Sequence, residues 1–196
     1  MKAPDIIEVA LEVIKVFEDL NIPYYIGGSL ASSAFGVARS TMDIDLVADI
    51  KAEHASVLEK RLGADFYVER EMIEKAIEKQ SSFNLIHLET MFKIDVFIST
   101  DQPFDKTVLS RRRPQRAMPE SDRQIYFSSP EDIILRKLLW FKKGEEAASL
   151  QWNDVLGVMK VQREALDLEY LKRWADKLRI LELLKKALLE AGAKMP

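Results

Sequence analysis

The chain has no cysteine. That absence excludes disulfide bridges, zinc–thiolate sites and thiol nucleophiles together, so a metal here needs harder ligands. Histidine occurs only twice. His54 falls on a predicted helix and His87 in an alternating strand, where structural roles suffice, and neither is assigned to a site. No apolar run reaches the length of a membrane span, and the first residues lead into an amphipathic helix without the apolar core of a signal peptide. The expectation is a cytoplasmic protein with no membrane partner. There is no excess of positive charge either: 29 Lys and Arg face 32 Asp and Glu, a net charge of −3. Any nucleic-acid partner must therefore meet a local patch. Internal repeats and low-complexity segments are lacking too. What is present suffices for a real core, because 47% of the 196 residues are hydrophobic, enough for one ordinary domain or two small ones.

The most informative stretch begins at Gly27-Gly28-Ser29 and continues through Arg39-Ser40-Thr41-Met42-Asp43-Ile44-Asp45-Leu46. Residues 22–26 predict a short strand, and the glycine pair lets the backbone turn sharply and approach a ligand. Ser29 then opens a short helix, whose free amide groups and positive dipole end suit a phosphate. In the next strand, residues 43–47, the period of two puts Asp43 and Asp45 on one face and Ile44 and Leu46 on the other. Two carboxylates so close repel unless a cation lies between them, and hard oxygen ligands suit Mg²⁺ or Mn²⁺. Asp95 is the odd residue in the otherwise apolar strand Lys93-Ile94-Asp95-Val96-Phe97-Ile98. Three aspartates from two strands suffice for two ions, one aligning nucleotide phosphates and one polarising an acceptor hydroxyl, with Asp95 as proton acceptor.

The Gly-Gly-Ser turn, the Arg39-x-Thr41-x-Asp43-x-Asp45 run and the Asp95 strand resemble the nucleotidyltransferase superfamily (DNA polymerase β-like). Within it the chain most resembles the AbiEii-type nucleotidyltransferases, a group that includes toxins of toxin–antitoxin systems. The likeness extends over nearly the whole chain, because Ser129-Pro130-Glu131-Asp132 through Lys137 to Asp154 resembles that group's helical C-terminal half. It implies Mg²⁺-dependent transfer of a nucleoside monophosphate from an NTP with release of pyrophosphate. It also implies nucleotide contacts from Gly27, Gly28, Ser29, Arg39, Thr41 and Lys137, and places Asp154 where the family carries a late aspartate.

The first predicted helix starts at Asp5, with Glu8 completing a capping box, and carries Ile6, Ala10, Val13, Phe17 and Leu20. Helices are expected over 52–62 and 71–80, and strands at 66–68, 83–88, 92–98 and 124–127. Residues 101–123 read as an irregular loop, with Pro103, Pro114 and Pro119 around Arg111, Arg112, Arg113 and Arg116. That loop is either an arm for phosphate or a solvated linker. Ser129 as N-cap and Pro130 at the first helical position start a helical half. Lys137 lies beside the apolar stripe of Ile134, Leu138 and Phe141. Asp154 interrupts a stripe with Leu150 and Val158 and wants a cationic partner, for which Lys137 is one candidate. Two last helices are expected near 168–178 and 180–191.

The expected protein is thus of α/β (α+β) class: a nucleotidyltransferase domain at residues 1–127, with a mixed sheet flanked by helices, and a helical C-terminal domain at 128–196. Its acceptor is RNA, tRNA or protein, and an antitoxin protein is a further expected partner. Arg39 either neutralises phosphate charge or orients aspartates through an ion pair. Two rivals stay open, a small-molecule (antibiotic-type) nucleotidyltransferase and a catalytically silent binding module of the same fold.

Overall fold

The computed structural model describes residues 5–39, 41, 43–117, 122–144 and 148–192. The helices are α1 (Ile6–Asp19), α2 (Gly28–Phe35), α3 (Ala55–Leu62), α4 (Arg70–Glu78), α5 (Pro103–Ser110), α6 (Pro130–Lys143), α7 (Ala148–Gln162), α8 (Leu168–Lys177) and α9 (Leu181–Glu190). The strands are β1 (Tyr24–Ile26), β2 (Asp43–Ala48), β3 (Phe66–Tyr67), β4 (Ser82–His87), β5 (Lys93–Ile98), β6 (Arg113–Arg116) and β7 (Gln124–Phe127). The chain forms two compact units, one of Met1–Gly27 and Thr41–Phe127, the other of Gly28–Ser40 and Ser128–Pro196. Residues 28–39, grouped with the sheet from sequence, fall instead in the helical unit, where α2 packs on α6 and α7.

In the first unit the strands form one mixed sheet in the order β3-β4-β5-β2-β1-β7-β6 among the described residues. The pairs β2–β5 and β1–β7 are parallel, and the others are antiparallel. Alternation sorts the central strands into two faces. Ile44, Leu46, Ile94, Val96, Phe83 and Leu85 are buried on one, where α1 packs on β2 and α4 packs on β4 and β5. The other face, carrying Asp43, Asp45, Lys93 and Asp95, is half-buried or exposed. Helix α1 has the expected capping box at Asp5 and Glu8, and Asn21 beyond its end adopts a left-handed φ of 54°. His87 is buried, with Nδ1 2.8 Å from Thr90 Oγ1.

The stretch 101–123 is not the irregular loop expected. Pro103 begins α5 instead of interrupting order, because proline's fixed φ and missing N–H suit the first helical turn. Phe104 and Val108 are buried beneath it. Pro114 lies in β6, an edge strand, where a missing donor does little harm. Arg112 stacks over Tyr126 at 4.7 Å and donates to the Leu109 carbonyl, while Arg113 and Arg116 are exposed. Pro119 lies outside the described residues.

In the second unit α6 packs on α7, α2 packs on both, and α8 and α9 complete the bundle. Ser129 caps α6 by accepting from the Asp132 N–H, and Gly144 ends it with a φ of 72°. The buried Asp132 accepts from Ser129 Oγ at 2.7 Å and Tyr170 OH at 2.5 Å. Leu150, expected on the buried stripe of α7, is 50% exposed; Trp152, Val155, Leu156, Val158 and Met159 form that core instead. No helix among the described residues is long and apolar enough to cross a membrane.

Candidate functional site

In the first unit the register of β2 against β5 pairs Asp43 with Lys93 and Asp45 with Asp95. Residues opposite one another on parallel strands share a face, so these four side chains form a square on the less buried side of the sheet. Asn84, opposite Asp95 on β4, belongs to the same face. The Lys93 ammonium lies 2.9 Å from Asp95 Oδ2. That hydrogen bond, reinforced by the charges of Asp95, Asp43 and Asp45, holds the Lys93 pKa above the ordinary lysine value against the opposing effect of burial. Asp43 is exposed at the start of β2, and Thr41 braces it: the hydroxyl donates to the Asp43 carbonyl at 3.1 Å and accepts from its N–H at 3.4 Å. The Gly27 N–H donates to the Asp45 carbonyl at 2.8 Å, which anchors the end of β1 beside the carboxylate strand.

In the second unit Gly28 starts α2 with a φ of 54°, a conformation that favours glycine. Gly27 does not share that need, because a Cβ there would lie 3.7 Å from the nearest side-chain atom. Ser29 Oγ, in the first turn, accepts from Arg39 Nη2 at 2.5 Å. The same guanidinium grips Asp154 with Nε to Oδ1 at 3.1 Å and Nη2 to Oδ2 at 3.3 Å. Lys137 Nζ closes the cluster, 2.6 Å from Asp154 Oδ2 and donating to Gln151 Oε1 at 2.9 Å. The Lys137 and Asp154 side chains are only 6% and 7% exposed. The Arg39 backbone is fixed as well, since Ser33 Oγ donates to its carbonyl and accepts from its N–H.

The sequence residues thus gather in two groups, Gly27, Thr41, Asp43, Asp45 and Asp95 in one unit and Gly28, Ser29, Arg39, Lys137 and Asp154 in the other. The aspartate that Arg39 orients is Asp154, a partner the sequence did not connect with it. Lys93, Asn84 and Gln151 were missed. The first two stand at period-two positions on the Asp95 face, a signal available once the strand register is known. Gln151 lies one helical turn before Asp154 but carries no signal of its own.

The donors on the sheet face are hard oxygens, and a cationic group already rests on Asp95, so the face fits a divalent ion by chemistry. Among the described residues no three Asp, Glu, His or Cys side chains converge as a metal-binding group. The fit therefore rests first on Asp45 and Asp95, with Asp43 at the rim.

No family model and no curated protein matches the chain. Solved structures do. An antigenic nucleotidyltransferase-like protein from Paracoccidioides brasiliensis is 18% identical with a TM-score of 0.54, over 96% of this chain and 94% of that one. The antibiotic-resistance factor ANT(2'')-Ia is 15% identical with a TM-score of 0.51, over 94% of each chain. The chain has a mixed α/β, nucleotidyltransferase-like fold.

Proposed function

We propose that the chain is a metal-dependent nucleotidyltransferase that moves a nucleoside monophosphate from an NTP to an acceptor, in the manner of the AbiEii-type enzymes it resembles in sequence. The observation that carries the reading is the direct pairing of Asp45 with Asp95 on neighbouring parallel strands, with Asp43 on the same face. A structural sheet gains nothing from three carboxylates on one face. Asp43, Asp45 and Asp95 would hold Mg²⁺ or Mn²⁺, which supplies Lewis acidity to the α-phosphate and the acceptor hydroxyl. The Gly27-Gly28 turn, Ser29 and Thr41 would contact the nucleotide, while Arg39 and Lys137 would balance phosphate charge. The acceptor oxygen bonds to the α-phosphorus, the bond to the β-phosphate oxygen breaks, pyrophosphate leaves, and the acceptor proton passes to Asp95.

The acceptor we favour is RNA, tRNA or protein in the cytoplasm, with an antitoxin protein as regulating partner. A second reading, an antibiotic-type acceptor, draws support from the fold likeness to an antibiotic-resistance factor. Each α-labelled NTP, incubated with Mg²⁺ or Mn²⁺ and in turn with total RNA, cell protein and an antibiotic panel, tests both. Label on RNA or protein supports the first reading, and label on a small molecule supports the second. In either case Asp45→Asn should fold normally and lose at least about a hundredfold in rate. Full activity in that variant sinks the metal assignment.

A further inference from the structure

The square of charges on the sheet face contains a cation of its own. Lys93 stands opposite Asp43, two residues before Asp95 on the same strand, and its ammonium lies 2.9 Å from Asp95 Oδ2. A divalent ion held by Asp45 and Asp95 must take that oxygen from Lys93 or share the carboxylate with it. Sharing sets two like charges against one another across a single carboxylate. Leaving is easy for the lysine, whose side chain is 43% exposed against 18% for Asp95 and rides on a flexible four-carbon stem.

We propose that Lys93 is an internal competitor of the divalent ion, partly offsetting the charge of the carboxylate face until a metal displaces its ammonium. The proposal rests on the metal reading above. Its physical logic has two sides. Without metal, three aspartates on adjacent positions repel, and Lys93 relieves that repulsion. With metal, the same ammonium opposes occupancy, so the site fills at higher metal concentration than the bare carboxylates would require. A metal carried on nucleotide phosphates brings negative charge that offsets the displaced ammonium. The device therefore favours loading metal together with nucleotide over loading it alone.

Direct Mn²⁺ binding to the full chain without nucleotide, read from the electron-spin-resonance signal of free Mn²⁺, tests this in the wild type, Lys93→Met, Lys93→Gln, Lys93→Arg and Asp45→Asn. The neutral variants should bind Mn²⁺ about fivefold to tenfold more tightly than the wild type, and Lys93→Arg should stay near the wild type. Either neutral variant suffices if the other fails to fold. Unchanged or weaker binding in the neutral variants, alongside wild-type binding that Asp45→Asn abolishes, overturns the role of Lys93 and leaves the metal reading standing. Mn²⁺ binding that is absent throughout, or indifferent to Asp45→Asn, removes the metal reading and the competitor with it.

Discussion

Asp154 is held by two cations, whereas Lys137 has one anion and one neutral amide, and that asymmetry orders the cost of removing them. Asp154→Ala strips a nearly buried ammonium of its carboxylate partner, and it should cost roughly 3–5 kcal/mol of stability. Lys137→Met leaves the carboxylate still gripped by Arg39, so about 1–2 kcal/mol is expected. Equilibrium urea unfolding of both variants checks the ranking, and a reversed order would mean that Arg39 contributes nothing to holding Asp154. Tyr24 gives a pH signature in the other unit. Its buried hydroxyl donates to Glu18 at 2.7 Å, and burial first, then that acceptor, push its pKa well above the ordinary 10.0. The unfolded chain therefore loses the phenolic proton before the folded chain does. The contribution is fully present below pH 10 and declines as pH rises past it, by about 1.4 kcal/mol per unit. Between pH 9 and pH 11 the stability of the wild type should fall by roughly 1.4 kcal/mol more than that of Tyr24→Phe. Equal losses would show that the phenol ionises freely in the folded state. The carboxylates were legible at this scale because a charge in an apolar strand stands out. Lys93 was not, since a lysine at a strand's first position looks like ordinary solvated polarity until the register sets it opposite Asp43.

At the joint between α2 and α7 the two backbones approach closely beside Gly36. A Cβ on Gly36 would lie 2.8 Å from both the Ser32 carbonyl oxygen and the Val158 nitrogen, and 3.0 Å from the Gly157 carbonyl carbon. Backbone atoms of two packed helices cannot yield as a flexible side chain would, so Gly36→Ala should cost about 1–3 kcal/mol. Gly27→Ala, with nothing nearer than 3.7 Å, should leave thermal stability almost unchanged and serves as the control. Comparable melting temperatures for the two variants would show that the joint opens without cost. The helices themselves were readable, because apolar spacing, the Asp5 capping box and the Ser129-Pro130 start are local signals. The Gly36 crossing left no such trace, since its partner lies far along the chain. Residues 103–110 and 113–116 were misread for a related reason: proline was weighed as a breaker, although a helix start and a sheet edge are the two places that tolerate it.

At the scale of the whole chain, the sequence suggested a cut near residue 127 because strand alternation gives way there to helical spacing. The amphipathic pattern of residues 28–35 cannot say which surface it covers, so their membership of the helical unit was hidden. That membership makes the helical unit discontinuous. Ala31 and Phe35 of α2 are buried, the Phe35 carbonyl accepts from Gln162 Nε2 at 2.8 Å, and Gly36 lies against α7. Every one of those partners is lost from a fragment that stops at residue 127. Such a fragment keeps the strands of the described sheet and the core beneath α1, yet it carries an apolar helix with its covering removed. Residues 1–127 alone should therefore self-associate or bind a hydrophobic dye strongly, and their melt should be broad where that of the full chain is sharp. Size-exclusion chromatography and a thermal scan decide the matter. A monomeric fragment with a cooperative transition would mean that α2 finds an equivalent seat on the sheet, and that the two units are separable at the boundary the strand pattern alone suggests.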